Sequence, residues 1–104
     1  MTAVGSAKDA RKIAELLIDE RLAACVQVIG PITSTYRWNG KVETAKEWLC
    51  LAKTRRDLYR RLMAALRKNH PYQVPEILAL PVIAGNKDYL AWLNREVRQE
   101  RGKR

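Results

Sequence analysis

Apolar residues recur at Ala10, Ile13, Ala14, Leu17 and Ile18, with Lys8, Arg11, Lys12, Glu15 and Asp19 between them. This three-to-four spacing predicts an amphipathic helix over residues 7–21. Ser6, with Asp9 three positions on, has the form of a capping box that starts it. Ahead of it, residues 1–4 leave room for a short strand before Gly5. Residues 22–29 read Leu-Ala-Ala-Cys-Val-Gln-Val-Ile and close on Gly30-Pro31, the pattern of a second strand ended by a turn. Residues 32–38 are rich in β-branched and aromatic side chains. Asn39-Gly40 is a strong two-residue hairpin signal, after which residues 41–54 run back.

The returning arm is long for the size of the chain. At about 3.3 Å per residue, residues 42–54 extend roughly 40 Å, whereas a compact chain of about 100 residues has a radius of gyration near 13 Å. The hairpin is therefore expected to overhang its own domain, with Tyr36, Trp38 and Trp48 on the exposed ribbon. An open edge of that kind must be paired or it templates aggregation. A homo-oligomer is expected, in which neighbours complete each other's sheets.

Thr54 and Asp57 repeat the capping-box spacing, and Leu58, Leu62, Ala65 and Leu66 mark the buried stripe of a second helix over residues 55–68. It runs into Lys-Asn-His-Pro-Tyr-Gln-Val-Pro-Glu-Ile-Leu-Ala-Leu-Pro, residues 68–81, which holds the chain's one histidine and three of its four prolines. Pro71 pushes His70 toward extended geometry and ends the helix. Residues 76–80 form an apolar run short enough for an inner strand buried on both faces, stopped by Pro81. Asn86 is placed to cap a third helix bearing Tyr89, Leu90, Leu93 and Val97. The order of elements predicts an α+β fold, the ferredoxin-like β-α-β-β-α-β sandwich with an extra C-terminal helix and a long β-hairpin. A single domain over residues 1–97 is expected, followed by a basic tail over 98–104.

Charge changes the list of partners to consider. Twenty Lys and Arg against 11 Asp and Glu give a net charge of +9, which raises nucleic acid or acidic lipid. The cations are spread over the first helix, the second helix and the tail, so they read as solvated helix surface. RNA-recognition modules share this order of elements but stack bases on sheet aromatics within a Lys/Arg-Gly-Phe/Tyr stretch. The chain has no phenylalanine and no such stretch. Nucleic acid is not an expected partner, and the hairpin aromatics suit subunit packing better. No window approaches the roughly 18 apolar residues of a membrane span, and the N-terminus lacks a signal-peptide pattern. Cys25 and Cys50 read as reduced core residues, so the expected location is cytoplasmic.

The same residues limit the chemistry. A metal site needs several converging ligands, and one histidine with two scattered thiols does not supply a tight one within a subunit. His70 is the single candidate metal ligand, with Glu76 or a neighbouring subunit as its possible companion; a hydrogen-bonded corner histidine is the plainer reading. There is no Gly-x-Ser-x-Gly elbow or Walker phosphate loop. No catalytic residue is assigned, since His70, Tyr72 and Glu76 become proton-transfer groups only if an interface gathers them.

Five blocks point to one family. Glu20-Arg-Leu-Ala-Ala-Cys25, Tyr36-x-Trp38-x-Gly40-Lys41-x-Glu43, Lys53-Thr54, His70-Pro-Tyr-x-x-Pro-Glu76 with Leu80-Pro81, and Tyr89-Leu-x-Trp92-Leu resemble, in order and spacing, the CutA divalent-cation tolerance proteins. The resemblance covers residues 7 to 97. It implies a tight homotrimer joined through the long hairpins, similar in architecture to the nitrogen-signalling PII proteins, and a non-enzymatic role in tolerance of copper and other divalent cations. In a copper-binding pattern of the family, a first-strand cysteine accompanies two adjacent histidines before the Pro-Tyr. Here Thr2 and Asn69 stand at two of those positions and only His70 remains. No cofactor is required, and copper or another divalent cation is expected to bind weakly. The resemblance also implies a longer first strand than residues 1–4 provide. Together these readings place the ligand region in an inter-subunit cleft drawing on Tyr36, Trp38, Lys53, His70, Tyr72, Glu76 and Trp92. Such a cleft suits a small anionic or metal-bearing ligand, although for Trp38 and Trp92 plain trimer packing is the better fit. A PII-like signalling or scaffold trimer is the alternative, and a basic polyanion-binding module is a more distant one.

Overall fold

The computed structural model describes residues 1–99. Its elements run β1 (Thr2–Val4), α1 (Ala7–Asp19), β2 (Cys25–Trp38), β3 (Lys41–Lys53), a 3-10 turn (Arg56–Leu58), α2 (Tyr59–Asn69) and α3 (Lys87–Glu96). The three strands form an antiparallel sheet in the order β1-β3-β2, and the three helices complete an α+β fold. Ile13 and Leu17 of α1, Leu62 and Leu66 of α2, and Val4 and Cys50 of the sheet share one buried cluster. Burial also raises the Cys50 thiol pKa, so this cysteine is an inert core residue. A second cluster of Leu58, Leu93 and Val97 fixes α3.

The helix ends follow local chemistry. The Asp9 amide donates to Ser6 Oγ at 3.0 Å, which starts α1 as its capping spacing predicts. The helix stops at Asp19 rather than at residue 21 because Arg21 takes a left-handed φ of 56°. The Leu22 amide then reaches back to the Leu17 carbonyl, a Schellman-type closure. Asn86 caps α3, its Oδ1 accepting from the amides of Asp88 and Tyr89. The expected Thr54 cap does not form: Thr54 Oγ1 is buried with no hydrogen-bond partner among the described residues, and Arg55 occupies the cap position. Asp57 is instead held by Arg55 through two bonds of 3.0 and 3.2 Å. A two-pronged charged pair outweighs a neutral cap.

Three strand expectations need correction. Gly30-Pro31 does not end the second strand; β2 runs through it with a shift of register between Ile29 and Ile32. An irregularity of this kind absorbs a proline that has no ladder donor. Trp48 is not on the overhang. It is half-buried against the core and lies over Gly30, where an added Cβ would collide with its indole. Finally, residues 76–80 form no strand and are not buried on both faces. Thr2 bridges Ile77, and Met1 and Leu78 exchange main-chain bonds, so the segment flanks β1 on the side away from β3. Pro75 and Pro81 remove donors on either side, and Leu78 and Leu80 are 54% and 67% exposed.

The overhang is present. The molecule measures 48 × 27 × 24 Å, with a radius of gyration of 14.9 Å. The pairs Tyr36–Glu43, Arg37–Val42 and Trp38–Lys41 form its far end. The start of the expected tail is tied down: the Arg98 amide donates to the Arg21 carbonyl, and the Arg21 and Arg55 guanidiniums bind carbonyls of residues 94, 95, 96 and 98. Arg101, Lys103 and Arg104 of that expectation lie outside the described residues.

Candidate functional site

The corner after α2 is held by its histidine. Pro71 forces His70 out of the helix into extended backbone, with φ −79° and ψ 137°. The Tyr72 amide donates to His70 Nδ1 at 3.1 Å. Nδ1 must therefore be unprotonated, which assigns the ring proton to Nε2, 2.9 Å from Thr2 Oγ1 as acceptor. Both ring nitrogens are used within the subunit. Burial lowers the His70 pKa, so the ring is held neutral.

Tyr72 extends the network toward the hairpin. Its hydroxyl donates to Glu47 Oε2 at 2.7 Å, and its ring lies 5.1 Å from that of His70. Desolvation raises its pKa, followed by the bond to Glu47 and by nearby charges that include Tyr36. The phenol thus stays protonated, a donor and not a base. Glu47 shares a sheet face with Ile32, and the two-residue period places Glu43 and its partner Tyr36 on that same face.

Of the predicted cleft residues, one chain brings together His70 and Tyr72, with Tyr36 near enough to act on the Tyr72 phenol, but it does not gather the rest. Tyr36 and Trp38 stand on the hairpin, Tyr72 and His70 at the corner, and Glu76 near the Met1 ammonium. Lys53 lies at the opposite end of β3, bonded to Gln27 Oε1 at 2.8 Å, and Trp92 packs on the α3 cluster with its ring 5.5 Å from Tyr89. A groove of about 530 Å³ runs between α1 and the end of α2, and another of about 350 Å³ is lined by Ala7, Arg11, Ala14, Val28, Gly30 and Trp48. Neither is lined by a predicted cleft residue. Among the described residues, no three His, Cys, Asp or Glu side chains converge on a point where a metal ion would sit. A tight metal centre built from one subunit does not fit this donor set.

Thr2 and Glu47 are the site residues that the pattern did not single out as such. Asn39-Gly40 could have placed Glu43 opposite Tyr36 by counting back from the turn. Past the register shift the count fails, and nothing in the spacing links Glu47 to a tyrosine 25 positions away.

Known proteins agree with the motif blocks. The family profile described as "CutA1 divalent ion tolerance protein" matches residues 1–96. A divalent-cation tolerance protein CutA from Thermus thermophilus is 48% identical over 90 residues, covering 86% of this chain and 87% of that protein. The rice protein CutA 1, named chloroplastic, is 44% identical over 89 residues; the match covers 86% of this chain but 50% of the rice protein. A solved structure of the Thermus thermophilus divalent cation tolerance protein superposes with a TM-score of 0.90 at 44% identity, over 93% of this chain and 94% of that one. No helix among the described residues is long and apolar enough to cross a membrane. With the fold, the corner motif and these likenesses in agreement, the chain belongs to the CutA1 divalent ion tolerance family.

Proposed function

We propose that this protein acts as a ferredoxin-like homotrimer in divalent-cation tolerance, without catalysing a reaction, and that its ligand site forms between subunits. One observation carries the reading: the chain leaves complementary sheet elements open on opposite sides. The outer edge of β2 is unpaired among the described residues, while the segment beyond β1 presents Leu78, Leu80, Val82 and Ile83 at 54–95% exposure. Seating that segment on a neighbour's β2 edge satisfies main-chain donors and covers apolar surface. The groove beside Val28 and Trp48 has room for its side chains. Because donor and acceptor edges differ, the contact is head-to-tail, and a ring closes it. Three members is the number that the family resemblance implies.

In such a ring the hairpin of one subunit carries Tyr36 and Trp38 toward the base of another, where Lys53 and Trp92 lie. The cleft then has aromatic walls, a lysine and the Tyr72–Glu47 pair, which suits a small anionic or metal-bearing ligand. Metal contact through His70 is weak in this account, since a metal must displace either the Thr2 or the Tyr72 bond. The unpaired cysteines are compatible with a cytoplasmic location. Acrylamide quenching tests the assembly at the site itself. With the other tryptophans replaced by phenylalanine, Trp38 is shielded in the concentrated protein and becomes quenchable on dilution. A Trp38 equally open to quencher at all concentrations contradicts the reading.

A further inference from the structure

The outer side of α2 carries one sign of charge. Exposed Arg60, Arg61, Arg67 and Lys68 lie on it with no acidic residue, whereas α1 and α3 mix the two signs along their exposed positions. At about 100° per residue the four cations fan over roughly 120° of helix circumference around exposed Ala64, and Arg60 to Lys68 spans about 12 Å. Leu62 and Leu66, on the opposite side, are in the core. Arg60, Arg67 and Lys68 form no ion pair among the described residues, unlike Arg55, which is committed to Asp57 and to the end of α3. Arg67 and Lys68 complement the carbonyl end of the helix dipole. Arg60 does the reverse: it stands in the first turn, where cations are disfavoured, and the nearest acid in sequence, Asp57 of the preceding 3-10 turn, is held by Arg55. Helix stability therefore does not account for the set.

We propose that this face of α2 is a docking surface for the phosphate backbone of double-stranded nucleic acid, bound without regard to sequence. Guanidinium forks match phosphate oxygens in pairs. The face offers no aromatic ring to stack on an unpaired base, and this separates it from single-strand binders and from the RNA-recognition modules. The helix's leucines are turned into the core, so no apolar side enters a lipid interface. What remains is phosphate contact alone, the part of nucleic-acid binding that positions but does not read.

The test is fluorescence anisotropy of a labelled mixed-sequence DNA duplex titrated with the full chain. Three to four phosphate contacts predict an affinity loss of roughly 40- to 150-fold between about 50 and 200 mM salt. Arg60→Glu with Arg67→Glu should weaken binding by about tenfold or more at the lower salt, while the charge-matched pair Lys8→Glu with Lys87→Glu changes it by less than about threefold. The milder Arg60→Gln with Arg67→Gln pair, checked for an unchanged melting temperature, guards against a folding defect and should lose affinity in the same direction. Equal losses from both reversal pairs would mean that overall charge, not this face, binds. That result overturns the proposal, as does failure to bind duplex at the lower salt, tighter binding to single strands, or capture by phosphatidylserine vesicles but not by DNA.

Discussion

The two ends of the long hairpin are built from the same pair of strands and reach opposite states. At the base, Cys50 lies buried beneath the helices, with Val26 and Ala52 packed against the same cluster. Toward the tip, Tyr36, Trp38 and Val42 stand 40–63% exposed. Composition explains only part of the difference: the tip carries more polar residues, yet Tyr36, Trp38 and Val42 are large apolar side chains like those covered at the base. What differs is whether this chain brings a second layer to cover them. The base is closed by its own helices, whereas under the proposed assembly another copy covers the overhang and the segment around Leu80 and Ile83. Stability of the subunit and stability of the assembly should therefore respond to different residues and differ in their dependence on concentration.

Substitutions can separate the two. Placing charge in the uncovered segment, Leu80→Asp with Ile83→Asp, should have the largest effect: the assembly dissociates, and the melting temperature becomes independent of protein concentration. Circular dichroism should still report a folded subunit, because neither residue is in the core. If the double variant keeps the wild-type subunit number, the segment is not the joint.

Leu17→Ala cuts the other way. Leu17 is 1% exposed at the centre of the closed half, and truncation should cost about 2–5 kcal/mol in urea unfolding. Subunit number at concentrations where the protein stays folded should not change. A cost below about 1 kcal/mol would mean that the base is less tightly packed than its burial implies.

The smallest effect is at the corner between the two regions. Burial holds the folded His70 pKa below its ordinary 6.5, so the unfolded chain takes up a proton first as pH falls. Stability from this group is complete above about 6.5 and declines as pH drops through that value toward the folded pKa. Urea midpoints for the wild type and His70→Gln should converge as acid removes that contribution. Midpoints that stay parallel from pH 7.5 to pH 5 would show that the ring is not held neutral by its surroundings.

How far the sequence was legible follows the same division. Helix starts at Ser6 and Asn86 could be read because capping is local, and the hairpin turn could be read because Asn39-Gly40 acts alone. The overhang followed from strand length. The register shift at Gly30-Pro31 was not legible: a proline in a strand and a proline ending one look the same until the partner strand is placed. Thr54 misled because its capping spacing is genuine, but Arg55 takes the acid the box would use. The apolar run at residues 76–80 read as an inner strand because an apolar run looks the same whether or not its own chain covers it, and here Leu78 and Leu80 stay exposed. Of the site, the order of motif blocks marked His70 and Tyr72, while Glu47 and Thr2 came into view only with the fold.

Sedimentation equilibrium across a dilution series tests the central claim most directly. The account predicts one species at three times the 11.9 kDa chain mass, persisting to micromolar concentration. A stable 11.9 kDa species at the same concentration would contradict it.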